Sequence, residues 1–347
     1  MSRHVLVARQ DSVGDVLLAG PAVRAVAAGA DRVTLLCGPR GRAAAALLPG
    51  VDQVVTAHAA WIDAAPRPVT RAGMDELVDR LVDLDVDQAL VLTSFHQSPL
   101  PLALLLRMAG VPTIAAVSVD YPGSLLDVRH RVDEDLHEVE RGLSLAATLG
   151  YRLPAGDDGR LRVRRDRPAD LPDLGGGPYV VVHPGAAVPA RAWAPERHAA
   201  LVDALVAGGR RVVVTGDAGE RALTSLVAGG RRPGVVDLGA LVDLGGLAEV
   251  LAGAEAVVVG NTGPAHLAAA VGTPVVSLFS PVVPAVRWRP SGVPLVLLGD
   301  QEAACAGSRA RVCPVAGHPC LDRVPVEEVV AAVERLARLR TVEGVAG

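Results

Sequence analysis

The chain has 347 residues, of which 50% are hydrophobic, and its formal net charge is −4. This length predicts two domains or one large one, with ample apolar material for buried cores. All 34 basic residues are arginine, and no lysine is present. Lysine Schiff-base chemistry and a Walker-type phosphate loop are therefore excluded, and the negative charge argues against a general nucleic-acid binder.

Short apolar stretches alternate with helical ones through the first half of the chain. β-branched and apolar runs predict strands over residues 4–8, 32–37, 53–56, 88–93 and 113–117. Helical spacing or composition predicts helices over residues 16–28, 74–84, 101–108 and 133–149. Pro21 should bend or interrupt the first of these helices, because proline removes a backbone donor.

A second series of the same kind follows a change in composition. Residues 154–178 hold Gly, Asp, Pro and Arg, with one short β-like piece at 161–163. Strands are then predicted over residues 179–183, 211–215, 235–238, 256–259 and 275–279. Helices are predicted over residues 195–206, 221–228, 244–251, 264–272 and 325–340.

Strands that alternate with helices indicate parallel sheets, and two such series indicate two domains. We predict an α/β protein with two Rossmann-like, doubly wound parallel-sheet domains that face each other across a ligand-binding cleft. The predicted N-terminal domain covers residues 1–160, and a linker covers 161–178. The predicted C-terminal domain covers residues 179–324, with a final helix and tail at 325–347.

The stretch from Asn261 to His266 is the strongest candidate for a ligand site. It follows a buried strand and opens a helix, with Pro264 suited to the first helical turn. Free backbone N–H groups at Thr262 and Gly263 would form an anion site, for which phosphate is the usual guest. His266 lies one turn further along. A strand–turn–helix unit of this composition is also common in α/β proteins that bind nothing there.

Gly14 and Asp15 lie in the first strand-to-helix loop. Asp15 could act as a general base that takes a proton from a hydroxyl, or it could merely stabilise the helix N-terminus. Asp11 is a weaker rival for the role of base. The loop has one glycine where a dinucleotide-binding loop needs Gly-x-Gly-x-x-Gly, so an NAD-dependent dehydrogenase is disfavoured.

Two loops of the second series carry further candidates. His183 and Gly185 follow its first strand, and Arg191 comes before the next helix, an arrangement that suits a diphosphate. Glu220 follows a later strand, where it could hold ribose hydroxyls or serve as a helix N-terminal carboxylate. Trp193 lies two residues after Arg191, and we favour a role in packing for it.

The four cysteines suggest packing rather than metal binding. Cys305, Cys313, His318 and Cys320 cluster near the end of the chain without the Cys-x-x-Cys pair that is usual in zinc sites. No apolar run is long enough for a signal peptide or a membrane span. We therefore expect a cytoplasmic protein with reduced thiols.

Taken together, these motifs resemble glycosyltransferase family 9, the ADP-heptose:lipopolysaccharide heptosyltransferase family. The resemblance runs from about residue 4 to residue 337. The matching pieces are Gly14-Asp15 with Pro21-Ala22, His183-Pro-Gly with Arg191 and Trp193, Gly216 to Glu220, Asn261 to Ala270, Pro274 to Phe279, Trp288 to Pro290, and Cys313 to Cys320.

The resemblance implies a GT-B fold and an inverting, metal-independent transferase without cofactors. Its donor would be a nucleotide-sugar, ADP-heptose first, bound by the C-terminal domain, and its acceptor a hydroxyl of a glycan or glycolipid. By matched position, Asp15 would be the catalytic base and Arg191 the phosphate-binding cation. The donor would also contact His183, Gly185, Glu220, Asn261, Thr262, Gly263 and His266. Asn261 departs from the family, which commonly has Asp there.

Several expectations stay open at this point. Ser94, His96 and Gln97 follow a strand of the first series and are candidates for the acceptor side. The acceptor could also be a small molecule of secondary metabolism. A nucleotide-sugar epimerase of similar architecture and a non-catalytic nucleotide-sugar binder are the alternatives. We expect a monomer without nucleic-acid partners, in the cytoplasm or at the inner face of the membrane, where peripheral contact is an option.

Overall fold

A computed structural model describes residues 3–133, 135–166 and 171–345. The chain divides into two compact units, Met1–Arg164 and Arg165–Gly347. The predicted domain boundaries at residues 160, 178 and 324 stay predictions. Residues 167–170 of the predicted linker, residue 134 of the predicted helix 133–149, and residues 346–347 of the predicted tail lie outside the described residues.

The N-terminal unit contains one parallel sheet of six strands in the order β3-β2-β1-β4-β5-β6. The strands are β1 (His4–Arg9), β2 (Arg32–Cys37), β3 (Gln53–Thr56), β4 (Gln88–Val91), β5 (Thr113–Val117) and β6 (Val128–His130). This is the strand order of a Rossmann domain. Five of the strands were predicted, whereas the short β6 was not.

Helices connect these strands. They are α1 (Val13–Leu18), α2 (Gly20–Ala27), α3 (Arg42–Leu47), α4 (Arg71–Val82), α5 (Leu100–Met108) and α6 (Glu138–Thr148). The predicted break near Pro21 is confirmed, because α1 ends and α2 begins around Ala19. The prediction that a helix begins at Asp133 was wrong. The helix starts at Glu138, where the His137 side chain accepts a hydrogen bond from the backbone N–H of Val139.

The C-terminal unit repeats the same sheet. Its strands are β7 (Tyr179–His183), β8 (Arg211–Val214), β9 (Val235–Asp237), β10 (Ala256–Gly260), β11 (Val275–Leu278) and β12 (Leu295–Leu298). They run parallel in the order β12-β11-β10-β7-β8-β9, which is the first sheet's order with each strand number raised by six. The strand β12 was not predicted, and the β-like piece predicted at 161–163 is not a strand.

The helices of this unit are α7 (Pro195–Ala207), α8 (Arg221–Ala228), α9 (Leu244–Gly253), α10 (Gly263–Ala270), α11 (Ala285–Trp288), α12 (Pro319–Asp322) and α13 (Val326–Val345). Among the helices of the described ranges, none has both the length and the apolarity to cross a membrane. The predicted fold class, two doubly wound parallel sheets, is confirmed.

The central strands are buried on both faces. Every residue of β1, β7 and β10 is buried, mostly as valine, leucine and alanine, as expected for parallel strands covered by helices. In each sheet the chain order reverses beside one central strand, between β1 and β4 and between β7 and β10. Open α/β sheets bind ligands at the carboxyl ends of strands at such switch points. The fold therefore provides two candidate sites, one in each unit.

Candidate active site

The switch point of the C-terminal unit brings together loops that follow two adjacent strands. In the β7–β10 register, His183 at the end of β7 pairs with Val259 of β10. The loop from His183 and the loop from Asn261 therefore leave the same edge of the sheet side by side. The residues predicted to bind a donor lie on these loops and on the loop after β8, next to β7.

His183 is a buried, neutral side chain. Its Nδ1 lies 3.0 Å from Thr215 Oγ1 at the end of the neighbouring strand. Burial lowers the pKa of His183 to about 4, and the nearby charge of Asp217 opposes this shift only in part. At neutral pH the imidazole therefore carries no charge and offers a hydrogen bond rather than a cation.

Gly185 and Glu220 fit each other closely. A Cβ atom added at Gly185 would lie 2.0 Å from Glu220 Oε1, so only glycine leaves room for this carboxylate. Glu220 also accepts a hydrogen bond of 3.0 Å from the backbone N–H of Asp217 in a capping box. The expected role as a helix N-terminal carboxylate is therefore present, and the carboxylate also lies 3.9 Å from His183 Nε2.

Arg191 is brought to the end of β10 by a close backbone approach. It ends a short 3₁₀ helix, Pro189–Arg191. A Cβ atom added at Gly260 would lie 3.2 Å from the Arg191 carbonyl oxygen, so the segment passes directly over the strand end. Trp193 is buried in the core and stacks edge-to-face on His198. The interpretation of Trp193 as a packing residue is therefore confirmed.

Asn261 and Thr262 form the turn into α10. Thr262 occupies the N-cap position, and its side chain makes no capping hydrogen bond to a described residue. Asn261 is buried, yet neither its Oδ1 nor its Nδ2 has a hydrogen-bond partner among the described residues. Buried polar groups are nearly always hydrogen-bonded, so an unpartnered amide beside a helix N-terminus marks a place for a polar ligand. His266 lies buried within the same helix, which begins at Gly263.

At the switch point of the N-terminal unit, Asp15 is held by both carboxylate oxygens. Its Oδ1 accepts a hydrogen bond of 2.9 Å from Arg9 Nη2. Its Oδ2 accepts from Ser12, at 2.7 Å from the hydroxyl and 3.3 Å from the backbone N–H. Asp15 therefore stabilises the N-terminus of α1, which was the alternative to a role as general base. Its side chain also keeps 20% exposure, which leaves it accessible to a substrate.

Asp11 is more deeply buried than Asp15, with an exposed side-chain fraction of 8%. It accepts a hydrogen bond from Gln97, and its Oδ2 lies 2.9 Å from Arg9 Nε without good hydrogen-bond alignment. Burial raises the pKa of Asp11 to about 6, although Arg9 opposes the rise. A carboxyl group with this pKa is a fair general base on chemical grounds, but its burial keeps it from a substrate.

Two of the three candidates for the acceptor side belong to this cluster. Ser94 Oγ accepts a hydrogen bond of 3.0 Å from Arg9, and the backbone N–H of Ser94 donates to Gln97 Oε1. His96 is exposed instead and stacks edge-to-face on Phe95. The loop after β4 thus places Ser94 and Gln97 beside Asp11 and Arg9.

Arg9 and Glu138 are two buried charged residues that were not predicted from the sequence. Arg9 ends β1 with 4% side-chain exposure, and its Nη1 lies 3.0 Å from Glu138 Oε2 at the start of α6. A cavity of about 10 Å³, lined among others by these two residues, Thr93 and Arg141, lies beside them. It has room for roughly one water molecule. An arginine directly after a buried apolar run was the available signal, whereas nothing in sequence spacing pointed to Glu138.

The cysteine-rich segment, residues 305–320, packs as expected. Cys305 and Cys320 are buried in apolar clusters, and all four thiols of the chain are free. Burial raises the pKa of Cys320 to about 11, which makes its thiol inert at neutral pH. His318 Nε2 lies 3.2 Å from the Ala190 carbonyl oxygen and so helps to hold the segment before Arg191.

Comparison with known protein families gives a match that covers most of the chain. The model of glycosyltransferase family 9 (heptosyltransferase) matches residues 76–317. The matched part includes the switch point of the C-terminal unit, from His183 to His266, and ends within the cysteine-rich segment, residues 305–320.

Individual relatives agree with this family. The chain is 34% identical over 209 residues to lipopolysaccharide heptosyltransferase 1 of Pseudomonas aeruginosa, which covers 58% of this chain and 56% of the relative. It is 32% identical over 164 residues to lipopolysaccharide heptosyltransferase 3 of Escherichia coli, with 46% of each covered. The chain thus spans about half the length of the relatives that it matches.

A solved structure shares the fold over nearly the full length. The structure of E. coli ADP-heptose lipopolysaccharide heptosyltransferase II superposes with a TM-score of 0.74 at 20% identity, covering 98% of this chain and 100% of that one. At this level of identity the likeness concerns the fold, and the chemistry has to be argued from the side chains.

Proposed function

Since the chain belongs to glycosyltransferase family 9 (heptosyltransferase), as the sequence motifs predicted, we propose that it transfers a heptose from ADP-heptose to a hydroxyl of a lipopolysaccharide-type glycolipid. The names of its relatives support the acceptor class. The name of the structural neighbour supports ADP-heptose as donor. The two switch points divide the task, with the donor in the C-terminal unit and the base in the N-terminal unit.

The donor site combines a cation, a helix N-terminus and neutral hydrogen-bonding groups. In this proposal Arg191 and the backbone N–H groups at Thr262 and Gly263 bind the diphosphate and stabilise the charge that grows on it as it leaves. Glu220 accepts hydrogen bonds from the ribose. The unpartnered amide of Asn261 hydrogen-bonds the sugar, which accounts for a buried polar group without a partner in the described chain.

Asp15 is the proposed general base. It takes the proton of the acceptor hydroxyl while that oxygen attacks the anomeric carbon from the face opposite the nucleotide, so the configuration inverts. The observation that carries this assignment is the geometry of the carboxylate. Asp15 is fixed on both oxygens yet remains 20% exposed, whereas Asp11 is buried under Gln97 and Arg9.

The test compares Asp15→Asn with Asp11→Asn. With ADP-heptose as donor and heptose-free lipopolysaccharide as acceptor, Asp15→Asn should lower kcat by about 10²–10⁴, the usual contribution of a positioned base. Its affinity for ADP should stay unchanged, because the donor site lies in the other unit. Full activity of Asp15→Asn together with loss in Asp11→Asn would assign the base to Asp11 instead.

Product analysis tests the reaction class. The wild-type protein should form a heptosylated glycolipid of inverted anomeric configuration and release ADP. Conversion of the donor without any acceptor would indicate an epimerase, and binding of ADP-heptose without turnover would indicate a binding protein. Transfer to a small metabolite and not to the glycolipid would change only the acceptor.

The proposal includes independence from metal ions and cofactors. Arg191 and the positive end of the α10 dipole supply the electrostatic stabilisation that a metal ion supplies to other nucleotide-sugar enzymes. Transfer should therefore proceed at an unchanged rate in excess EDTA, and a loss of activity that Mg²⁺ restores would refute independence from metal ions.

We also propose that the protein works as a monomer in the cytoplasm, at the inner face of the membrane that holds its acceptor. Sedimentation and membrane fractionation test these two points.

A further inference from the structure

One buried cation stands among three carboxylates in the N-terminal unit. Arg9 has 4% side-chain exposure and lies within 3.0 Å of carboxylate oxygens on three different parts of the chain. Asp11 belongs to the loop after β1, Asp15 to α1, and Glu138 to α6. The guanidinium thus uses three of its nitrogens to link the loop after β1 and the start of α1 to α6, which is 129 residues away in sequence.

Glu138 is itself anchored. Its side chain is 1% exposed, and its second oxygen, Oε1, lies 3.3 Å from Arg141 Nη1, one helical turn further along α6. The same Arg141 nitrogen donates to the carbonyl oxygen of Thr93, which follows β4. A continuous chain of contacts therefore runs from the end of β4 through Arg141 and Glu138 to Arg9.

Such an arrangement is a poor way to gain stability. A buried ion pair loses about as much in desolvation as it gains in attraction, and apolar side chains of similar volume would serve the fold as well. The network does have a geometric effect. Arg9 holds Oδ1 of Asp15 while Ser12 holds Oδ2, so the carboxylate cannot rotate. Arg9 and Ser12 together donate three hydrogen bonds to the carboxylate, and its side chain keeps 20% exposure toward a substrate.

We propose that Arg9 and Glu138 are positioning residues for the transfer reaction, in which Arg9 orients the Asp15 carboxylate and Glu138, from α6, holds the Arg9 guanidinium in place. This inference rests on the proposed function, because it takes Asp15 as the base. Neither positioning residue needs to touch the substrate. A reacting group displaced by about 1 Å can lose about 10²-fold in rate, so the precision of this support matters.

The charges of the cluster give the proposal a signature in the pH profile. The charged groups that face Asp15 are Arg9, Asp11 and Glu138, with Arg141 behind Glu138. Burial raises the pKa of Asp11, and the negative charge of Glu138 adds to the rise. Replacing Glu138 by glutamine keeps a hydrogen-bond acceptor for Arg9 but removes one negative charge. The carboxyl group of Asp11 should then release its proton at lower pH.

The experiment measures kcat and KM across pH for Glu138→Ala and Glu138→Gln, with ADP-heptose and heptose-free lipopolysaccharide. Glu138→Ala should lower kcat by about 10²-fold while KM for ADP-heptose stays within about two-fold. Glu138→Gln should retain more of kcat, and the acid limb of its profile should move to lower pH. Glu140→Ala is the matched control, because Glu140 is an exposed carboxylate in the same turn of α6. It should leave both kcat and the profile unchanged.

The outcomes separate this inference from the proposed function. If Asp15→Asn is inactive while Glu138→Ala keeps wild-type kcat, the positioning role is wrong and the base assignment stands. If kcat of Glu138→Ala falls only as far as its folded fraction falls, and Glu138→Gln shows an unshifted acid limb, the network is structural and the inference is refuted. Transfer by Asp15→Asn at the wild-type rate refutes the base assignment and this inference with it. No transfer by the wild type with this pair of substrates refutes the proposed function.

Discussion

The two switch points have the same strand order but differ in the charged and polar side chains around them. Each lies where a six-stranded parallel sheet of the same strand order reverses direction. In the N-terminal unit the loops surround Arg9 with three carboxylates, and each of these groups has a partner. In the C-terminal unit the corresponding edge carries a neutral His183 and an Asn261 amide without a hydrogen-bond partner in the described residues.

The difference shows how one fold can serve two tasks. Charges that pair with one another are fixed before a substrate arrives, which suits a group that must act at one position. Polar groups without partners lose hydrogen bonds on folding and regain them only from a ligand, which suits a binding site. Substitutions of the paired charges should therefore act on stability and kcat in the N-terminal unit, whereas substitutions of the unpartnered groups should act on ligand affinity in the C-terminal unit.

The largest effect is expected for Arg9→Met. Removal of one member of a buried ion pair leaves uncompensated charge and costs about 3–5 kcal/mol. Here one cation serves Asp11, Asp15 and Glu138, so the N-terminal unit should unfold at a clearly lower denaturant concentration. Hydrogen exchange of peptides from β1 would report this loss for the N-terminal unit alone. Peptides from β7 should exchange as in the wild type.

A matched control is Arg71→Met in the same unit. Arg71 pairs with Asp75 at 3.4 Å, but its side chain is 94% exposed and solvent screens the pair. This variant should keep the wild-type midpoint of unfolding. If Arg9→Met matched it, the buried cluster would contribute no more than an exposed pair, and the contrast between the units would fail.

Much of the fold could be predicted from the sequence because apolar runs and helical spacing report burial directly. The strands β2, β3, β5 and β7 have the predicted bounds. The missed elements were short or at an edge. Strand β6 has three residues of intermediate burial, Val128–His130, and β12 is half-buried over most of its length. Such strands lack the continuous burial that makes a central strand recognisable.

The candidate site was only half predictable. Residues that follow strands, such as Asp15, His183 and Asn261, could be singled out because the carboxyl ends of parallel strands bind ligands. Glu138 lies 129 residues from its partner Arg9, and the pairing depends on how α6 packs against the first sheet. The unpartnered state of Asn261 likewise depends on its neighbours in space. Strand periodicity carries no information of either kind.

The next effect in size concerns donor affinity. In Gly185→Ala the new methyl group would lie 2.0 Å from Glu220 Oε1, so Glu220 must move. Overpacking of this kind costs about 1–3 kcal/mol, and ADP affinity, measured by calorimetry, should fall about 5- to 150-fold. Gly208→Ala is the control, since its methyl group would meet only ordinary contacts at 3.4 Å. In a Glu220→Ala background, Gly185→Ala should cause little further loss of ADP affinity. A full loss there would assign the effect to the backbone.

The two units should respond oppositely to mild acid. Burial lowers the pKa of His183 to about 4 and that of His198 to about 3. Below the ordinary histidine value near 6.5 the unfolded chain takes up protons that the folded unit refuses, so the C-terminal unit loses stability from about pH 6.5 to 4. Burial raises the pKa of Asp11 to about 6. The folded N-terminal unit therefore binds this proton before the unfolded chain does, and it gains stability from about pH 6 to 4.

Hydrogen exchange at pH 7 and pH 5, corrected for intrinsic exchange rates, can measure both units in one sample. Protection in β7 and β8 should fall by an amount on the order of 1–3 kcal/mol. Protection in β1 should hold or rise by about 1 kcal/mol. His198→Asn should reduce the loss in the C-terminal unit. Equal losses in both units would show that the buried Asp11 and the buried histidines do not govern the response.

The smallest effect on stability is expected for Asn261→Ala, and it sharpens the comparison most. Neither amide atom of Asn261 has a hydrogen-bond partner among the described residues, so its removal should change the free energy of unfolding by less than about 0.5 kcal/mol. Thr273→Val is the contrasting control in the same unit, because Thr273 Oγ1 donates a hydrogen bond of 2.7 Å to the Leu251 carbonyl oxygen. Loss of this hydrogen bond in Thr273→Val should cost about 1 kcal/mol of stability.

Asn261→Ala should bind ADP normally and ADP-heptose more weakly, because the amide would meet only the sugar. A destabilised Asn261→Ala with unchanged affinity for ADP-heptose would place Asn261 among the structural residues and leave the C-terminal switch point without its sugar contact.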